Sequence, residues 1–205
     1  MNVDIQNKIK QIKQSFRFRM NGITSQSMRE KGILYKLNWG VPLTELKEIA
    51  KEYDKDYELA IELWKEDIRE CMILATLIMP HECMEEDIIE VWMERVHTQE
   101  LAEILAFNLL QYTNKALHLA FRWIASGKQM YEICGYNLLS GLFNRCIKIE
   151  NREIKEYLDQ VNSSLQDNNI IIKHAAYNSL MKFCNINNDF EAMAKRTVGI
   201  LSAKP

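Results

Sequence analysis

The chain has 205 residues, long enough to bury a real core without disulfide or metal staples. Only seven Gly and three Pro occur, which argues against an all-β chain and against a Gly-rich phosphate loop. With 26 Lys/Arg against 28 Asp/Glu, the net charge of −2 by itself names no polyanionic partner.

Helical periodicity runs nearly end to end. Val3, Ile5, Ile9, Ile12, Phe16 and Met20 predict a helix over 3–20. Pro42 as a first-turn residue, followed by Leu43, Leu46, Ile49 and Ala50, predicts one over 43–50. Asp54 is the expected cap of a helix carrying Tyr57, Ala60, Ile61 and Trp64. Asp67 is the expected cap of the next, with Met72, Leu74, Ala75 and Ile78, which Pro80 ends. Further helices are expected near 84–95, 98–111, 114–125, 128–144, 150–165, 169–184 and 188–202. That makes about a dozen helices with short connections and no competing strand. Glu58-Leu59-Ala60 recurs as Glu100-Leu101-Ala102, and Tyr136-Asn137-Leu138-Leu139 as Tyr177-Asn178-Ser179-Leu180, shifts of 42 and 41 residues. HEAT and armadillo units have this period. An α-solenoid of helix pairs is therefore favoured over a compact bundle.

The longest apolar run, Met72 to Met79, is too short to cross a bilayer. The N-terminus has no apolar signal region, so a cytoplasmic protein is expected. Cys71, Cys83, Cys134, Cys146 and Cys184 contain no C-x-x-C pair, and His81-Glu82-Cys83 has no second ligand pair downstream. No metal site is expected. Charge is segregated along the chain. Residues 1–40 hold eight Lys/Arg and two acids, residues 41–103 six and eighteen, and residues 104–205 twelve and eight. Such blocks build local fields that the net charge hides.

Met28-Arg29-Glu30-Lys31-Gly32, Tyr35-Lys36-Leu37-Asn38-Trp39-Gly40-Val41-Pro42 and Leu46-Lys47-Glu48-Ile49-Ala50-Lys51 form one pattern. Glu58-Leu59-Ala60, Leu63-Trp64, Arg69-Glu70 and Leu74-Ala75 continue it. Over residues 28–80 the chain resembles the HEAT-like DNA alkylation repair family, the bacterial alkylpurine DNA glycosylases. The resemblance implies an all-α, right-handed α-solenoid of HEAT-like helical pairs, with one repeat domain over residues 1–205. It implies a monomer whose concave basic groove holds alkylated or distorted double-stranded DNA, with no cofactor and no membrane. In the active branch it implies release of cationic alkylated purines, with a carboxylate flanked by tryptophans stabilising an oxocarbenium-like sugar.

Carried over residue by residue, the family's Trp-Asp-x-x-Asp element falls over Val96–Glu103. Gln99 stands where the first Trp is expected, and Glu103 stands for the catalytic Asp. Ile133 and Cys134 stand where a positioning Arg is expected, and Tyr177 or Asn178 where the second Trp is expected. Glu103 is thus the candidate catalytic residue. The candidate DNA contacts are Arg145, Lys148, Lys173, His174, Asn178 and Lys182. His174, Asn178 and Lys182 recur every four residues, opposite Ile171, Ile172, Ala175, Leu180 and Phe183. Trp39, Trp64 and Trp92 read as core, whereas Trp123, after Arg122, is open to burial or to DNA contact. Lys8, Lys10, Lys13, Arg17 and Arg19 grip a backbone or pair with the acidic block. Three readings remain open: a glycosylase, a catalytically inactive DNA-binding relative, and a protein-binding scaffold.

Overall fold

A computed structural model describes residues 3–199. Twelve α-helices and two short 3-10 turns make up the described chain. There is no β-strand among the described residues, only one isolated parallel bridge between Leu37 and Ile68. The expected all-α architecture is what forms. The chain divides into two compact units between Leu109 and Leu110.

The first unit holds α1 (Val3–Phe18), α2 (Gly22–Glu30), α3 (Leu43–Ala50), α4 (Tyr57–Lys65), α5 (Arg69–Ile78), α6 (Glu86–Met93) and α7 (Gln99–Asn108). Helix α5 is its centre, packing against α3, α4 and α7. Residues 69–76 are all buried, so this helix is enclosed on every side. Ile5, Ile9, Ile12 and Phe16 form the stripe by which α1 meets α4. Asp56, not Asp54, caps α4: its Oδ1 accepts the Leu59 N–H at 3.0 Å. Asp67 caps nothing. It turns the chain at φ 57°, and α5 starts after Ile68 without a side-chain cap. Helix α3 spans the expected residues 43–50, with Pro42 in extended backbone as its N-cap.

The second unit holds α8 (Ala116–Ile124), α9 (Gln129–Asn144), α10 (Asn151–Leu165), α11 (Ile170–Cys184) and α12 (Asn188–Val198). Pairs α8/α9 and α10/α11 are joined by short connections, and α9 packs on both α8 and α11. Close approach of α8 to α9 needs Gly135, where an added Cβ would lie 2.9 Å from the Ala120 carbonyl. Phe143, Tyr157, Phe183 and Phe190 form a chain of ring contacts that ties α9 to α12. Helix α12 ends at Val198, with Gly199 at φ 66°; residues 200–202 of the expected helix lie outside the described residues.

Candidate nucleic-acid interface

The residues that carry the family pattern build a buried polar network. Arg69 and Glu70, the first two residues of α5, are 4% and 0% exposed. Buried charge costs free energy unless it is paired and fully hydrogen-bonded. Arg69 Nε donates to Glu100 Oε2 at 2.9 Å and Nη2 to Oε1 at 2.6 Å. Its Nη1 donates to the Val41 carbonyl at 2.9 Å and to Glu70 Oε1 at 3.2 Å. Glu70 in turn accepts the Trp39 and Val41 N–H groups, each at 3.2 Å. Burial works against the Arg69 charge, but hydrogen bonding to Glu100 together with the Glu100 and Glu70 charges outweighs it and holds the guanidinium pKa above its ordinary value.

Tyr35 completes the network. Its hydroxyl donates to Glu100 Oε2 at 2.8 Å and lies 2.8 Å from Thr98 Oγ1, the cap of α7. Burial, then the Glu100 charge, pushes that hydroxyl well above its usual pKa. The segment Leu37–Val41 is thus clamped onto α5. Its Trp39 carbonyl accepts the Asn21 N–H at 2.8 Å, which fixes the corner between α1 and α2. Gly40 sits there at φ 73°, where any Cβ would run into the Asn21 backbone. Trp39, Gly40, Val41, Arg69 and Glu70 are therefore structural residues. The carry-over through spacing passed over Glu100, and the Arg69-Glu70 pair was the available signal: two adjacent charges inside an apolar helix pattern need a partner.

Glu103 lies one turn further along α7. It is half-buried and accepts a 2.8 Å hydrogen bond from Gln99 Nε2, the side chain at the expected Trp position. All four tryptophans of the chain are buried, including Trp123. Trp64 and Trp92 stack on each other with centroids 4.1 Å apart. Trp123 meets the edge of Tyr131 at 5.6 Å. Ile133 and Cys134 are fully enclosed in α9, and burial raises the Cys134 thiol far above its usual pKa. Among the described residues, no three His, Cys, Asp or Glu side chains are placed to hold a metal. His81 Nδ1 instead lies 2.9 Å from Glu82 Oε2.

The six contact candidates all belong to the second unit. His174, Asn178 and Lys182 are exposed in one stripe of α11, with half-buried Lys173 beside it. The opposite face carries Ile172, Ala175, Ala176, Ser179, Leu180 and Phe183, all buried, while Ile171 is only half-buried. Lys148, Lys173 and Lys182 form no ion pair with another described residue. Arg145, after α9, donates to the Gln111 carbonyl and lies 4.9 Å over the Tyr112 ring, so its charge is anchored at the surface. In the first unit, part of the N-terminal cluster serves the acidic block: Lys8 pairs with Asp56 at 3.5 Å and Lys13 with Glu66 at 2.5 Å. No described helix is long and apolar enough to cross a membrane.

This architecture of paired helices is a HEAT-like repeat fold. It is similar to a solved structure described as a new family of proteins related to the HEAT-like repeat DNA glycosylases with affinity for branched DNA structures. That match has a TM-score of 0.83 and 24% identity, covering 96% of this chain and 85% of the other. The family model described as DNA alkylation repair enzyme matches residues 12–192. The chain belongs to that DNA alkylation repair family. No curated protein matches it.

Proposed function

We propose that this protein binds duplex DNA as a monomer, through the polar stripe of α11, and acts on distorted DNA without excising bases. The observation that carries the reading is that stripe: His174, Asn178 and Lys182 facing solvent, with Lys173, which pairs with no acid among the described residues, beside them. Cations and amides on one helix face suit phosphate contact, which positions a protein on DNA without reading sequence. The structurally similar family is described as having affinity for branched DNA, which supports DNA as the partner. The burial of every tryptophan argues against excision, because no indole is exposed to flank a cationic base at Glu103. The Gln99 amide further occupies a Glu103 oxygen.

The test combines duplex-binding titrations with an assay for 7-methylguanine release from methylated DNA. Binding that weakens steeply with salt, with no release above background, is the expected result. Absence of binding at low ionic strength would favour a protein-binding scaffold. Base release abolished by Glu103→Gln would restore the glycosylase reading.

A further inference from the structure

Within the first unit, helices α4 and α6 leave an open groove between them, a cavity of about 230 Å³. Its floor is the stacked pair Trp64 and Trp92, and Ile61, Ile88 and Val91 form its walls. Both indoles are buried, so the floor is fixed in advance of any contact, whereas Val91 at the lip is 57% exposed. The protein's own groups do not complete this floor. The buried Trp64 indole N–H has no acceptor among the described residues, although buried donors are ordinarily paired.

The charges around the groove are uneven. The two cations that line it are engaged within the protein. Lys65 lies 2.6 Å from Glu62. Arg95 lies 4.0 Å from Asp67 and donates to the Lys65 carbonyl at 3.3 Å, bridging α6 to the end of α4. The acids are different. Asp87 lines the groove, Glu94 follows Val91 by three residues, and Glu58 precedes Ile61 by three, a spacing that makes neighbours on a helix surface. All three acids are exposed, and none forms an ion pair with another described residue. The groove therefore has an apolar centre and an uncompensated negative rim.

We propose that this groove docks a basic segment of another protein, with one apolar side chain seated over Trp64 and Trp92 and flanking Lys or Arg side chains against Asp87, Glu94 and Glu58. Charge decides the class of occupant. Unpaired acids repel a polyanion and attract cations, so this face is unsuited to DNA phosphates. Size decides the anchor. The cavity is smaller than the roughly 300–1,000 Å³ of small-molecule pockets, and it suits a single side chain whose parent protein makes its remaining contacts outside. An apolar anchor in a preformed pocket inside a polar rim is how a few residues carry most of a protein interface's affinity. The groove and the α11 stripe differ in charge and belong to different units, so the partner protein and DNA use different residues.

The experiment titrates the full chain with a labelled synthetic amphipathic helical peptide, Leu on one face and Lys on the other. Control peptides carry Glu in place of Lys, or Ser in place of Leu. The proteins are the wild type, Val91→Arg and Asp87→Asn/Glu94→Gln. All three positions are exposed, so thermal melts are expected to match the wild type. The wild type is expected to bind only the Lys/Leu peptide. Val91→Arg should weaken that binding by about tenfold, the scale of one interface anchor. The double variant should weaken it severalfold, as the loss of two exposed ion pairs does. Linear-duplex affinity should be unchanged in both variants. Failure of the Lys/Leu peptide to bind, equal binding of either control peptide, or undiminished binding in either variant would overturn the docking site and leave the α11 reading intact. Duplex binding weakened by Val91→Arg would overturn it in favour of DNA. Self-association of the wild type that Val91→Arg abolishes would overturn it in favour of a second copy of the chain.

Discussion

Arg69 holds Glu100 through two hydrogen bonds, 2.6 and 2.9 Å long, between the first turns of α5 and α7. The forked geometry uses two faces of a rigid guanidinium that an ammonium cannot reproduce. Removing one partner leaves the other charge in a site built for a pair. Glu100→Ala and Arg69→Ala are each expected to cost about 3 kcal/mol, the lower end of the range for breaking a buried pair. Arg69→Lys should recover only part of that. The double variant should cost much less than the sum of the two, because the pair acts as a unit. Urea denaturation of the four proteins checks this; additive losses would show that the two residues are energetically independent.

Two glycines give opposite expectations. In α9, a Cβ on Gly135 would lie 2.9 Å from both the Ala120 carbonyl and Ile124 Cγ1. Alanine improves helix propensity there by about 1 kcal/mol, but overpacking costs about 1–3 kcal/mol. Gly135→Ala should therefore lower the melting temperature. At Gly22, the first residue of α2, nothing lies within 4 Å of the added carbon and the backbone φ is ordinary. Gly22→Ala should leave the melting temperature unchanged or raise it slightly.

Much of this architecture is legible in the sequence, since the apolar stripes of α1, α4 and α8 mark their buried faces directly. Helix α2 is not, because its single buried residue is Ser25, whose hydroxyl bonds the Asn38 carbonyl, while Ile23 points to solvent. Periodicity cannot find a helix that is held by polar contacts. Cap residues are equally ambiguous locally: Asp54, Asp56 and Asp67 are all plausible, and only packing selects Asp56. The site shows the same division. The α11 stripe follows from four-residue spacing alone. The different fates of Glu100 and Glu103 do not, because they depend on which acid faces Arg69, 31 positions earlier for Glu100. The tryptophans mislead in the other direction, for rarity draws attention to side chains that simply fill the core.

Glu132 ties stability to pH. Burial, and secondarily the Asp167 charge, raises its carboxyl above the ordinary value. The folded state thus favours the neutral acid over the carboxylate. The stability it supports is complete below the unfolded pKa of about 4.3 and is lost as pH rises through the higher folded value. Glu132→Gln should therefore raise the melting temperature at pH 7, with the gain shrinking toward pH 4. A gain of the same size at both pH values would assign it to something other than ionisation.

The most direct test of the α11 interface is the salt dependence of linear-duplex binding in the wild type and in Lys173→Ser/Lys182→Ser. Each phosphate-contacting lysine contributes about one unit to the slope of log affinity against log salt. The double variant should bind more weakly at low salt, with a slope about two units shallower. An unchanged affinity and an unchanged slope would contradict the assignment of this face to DNA.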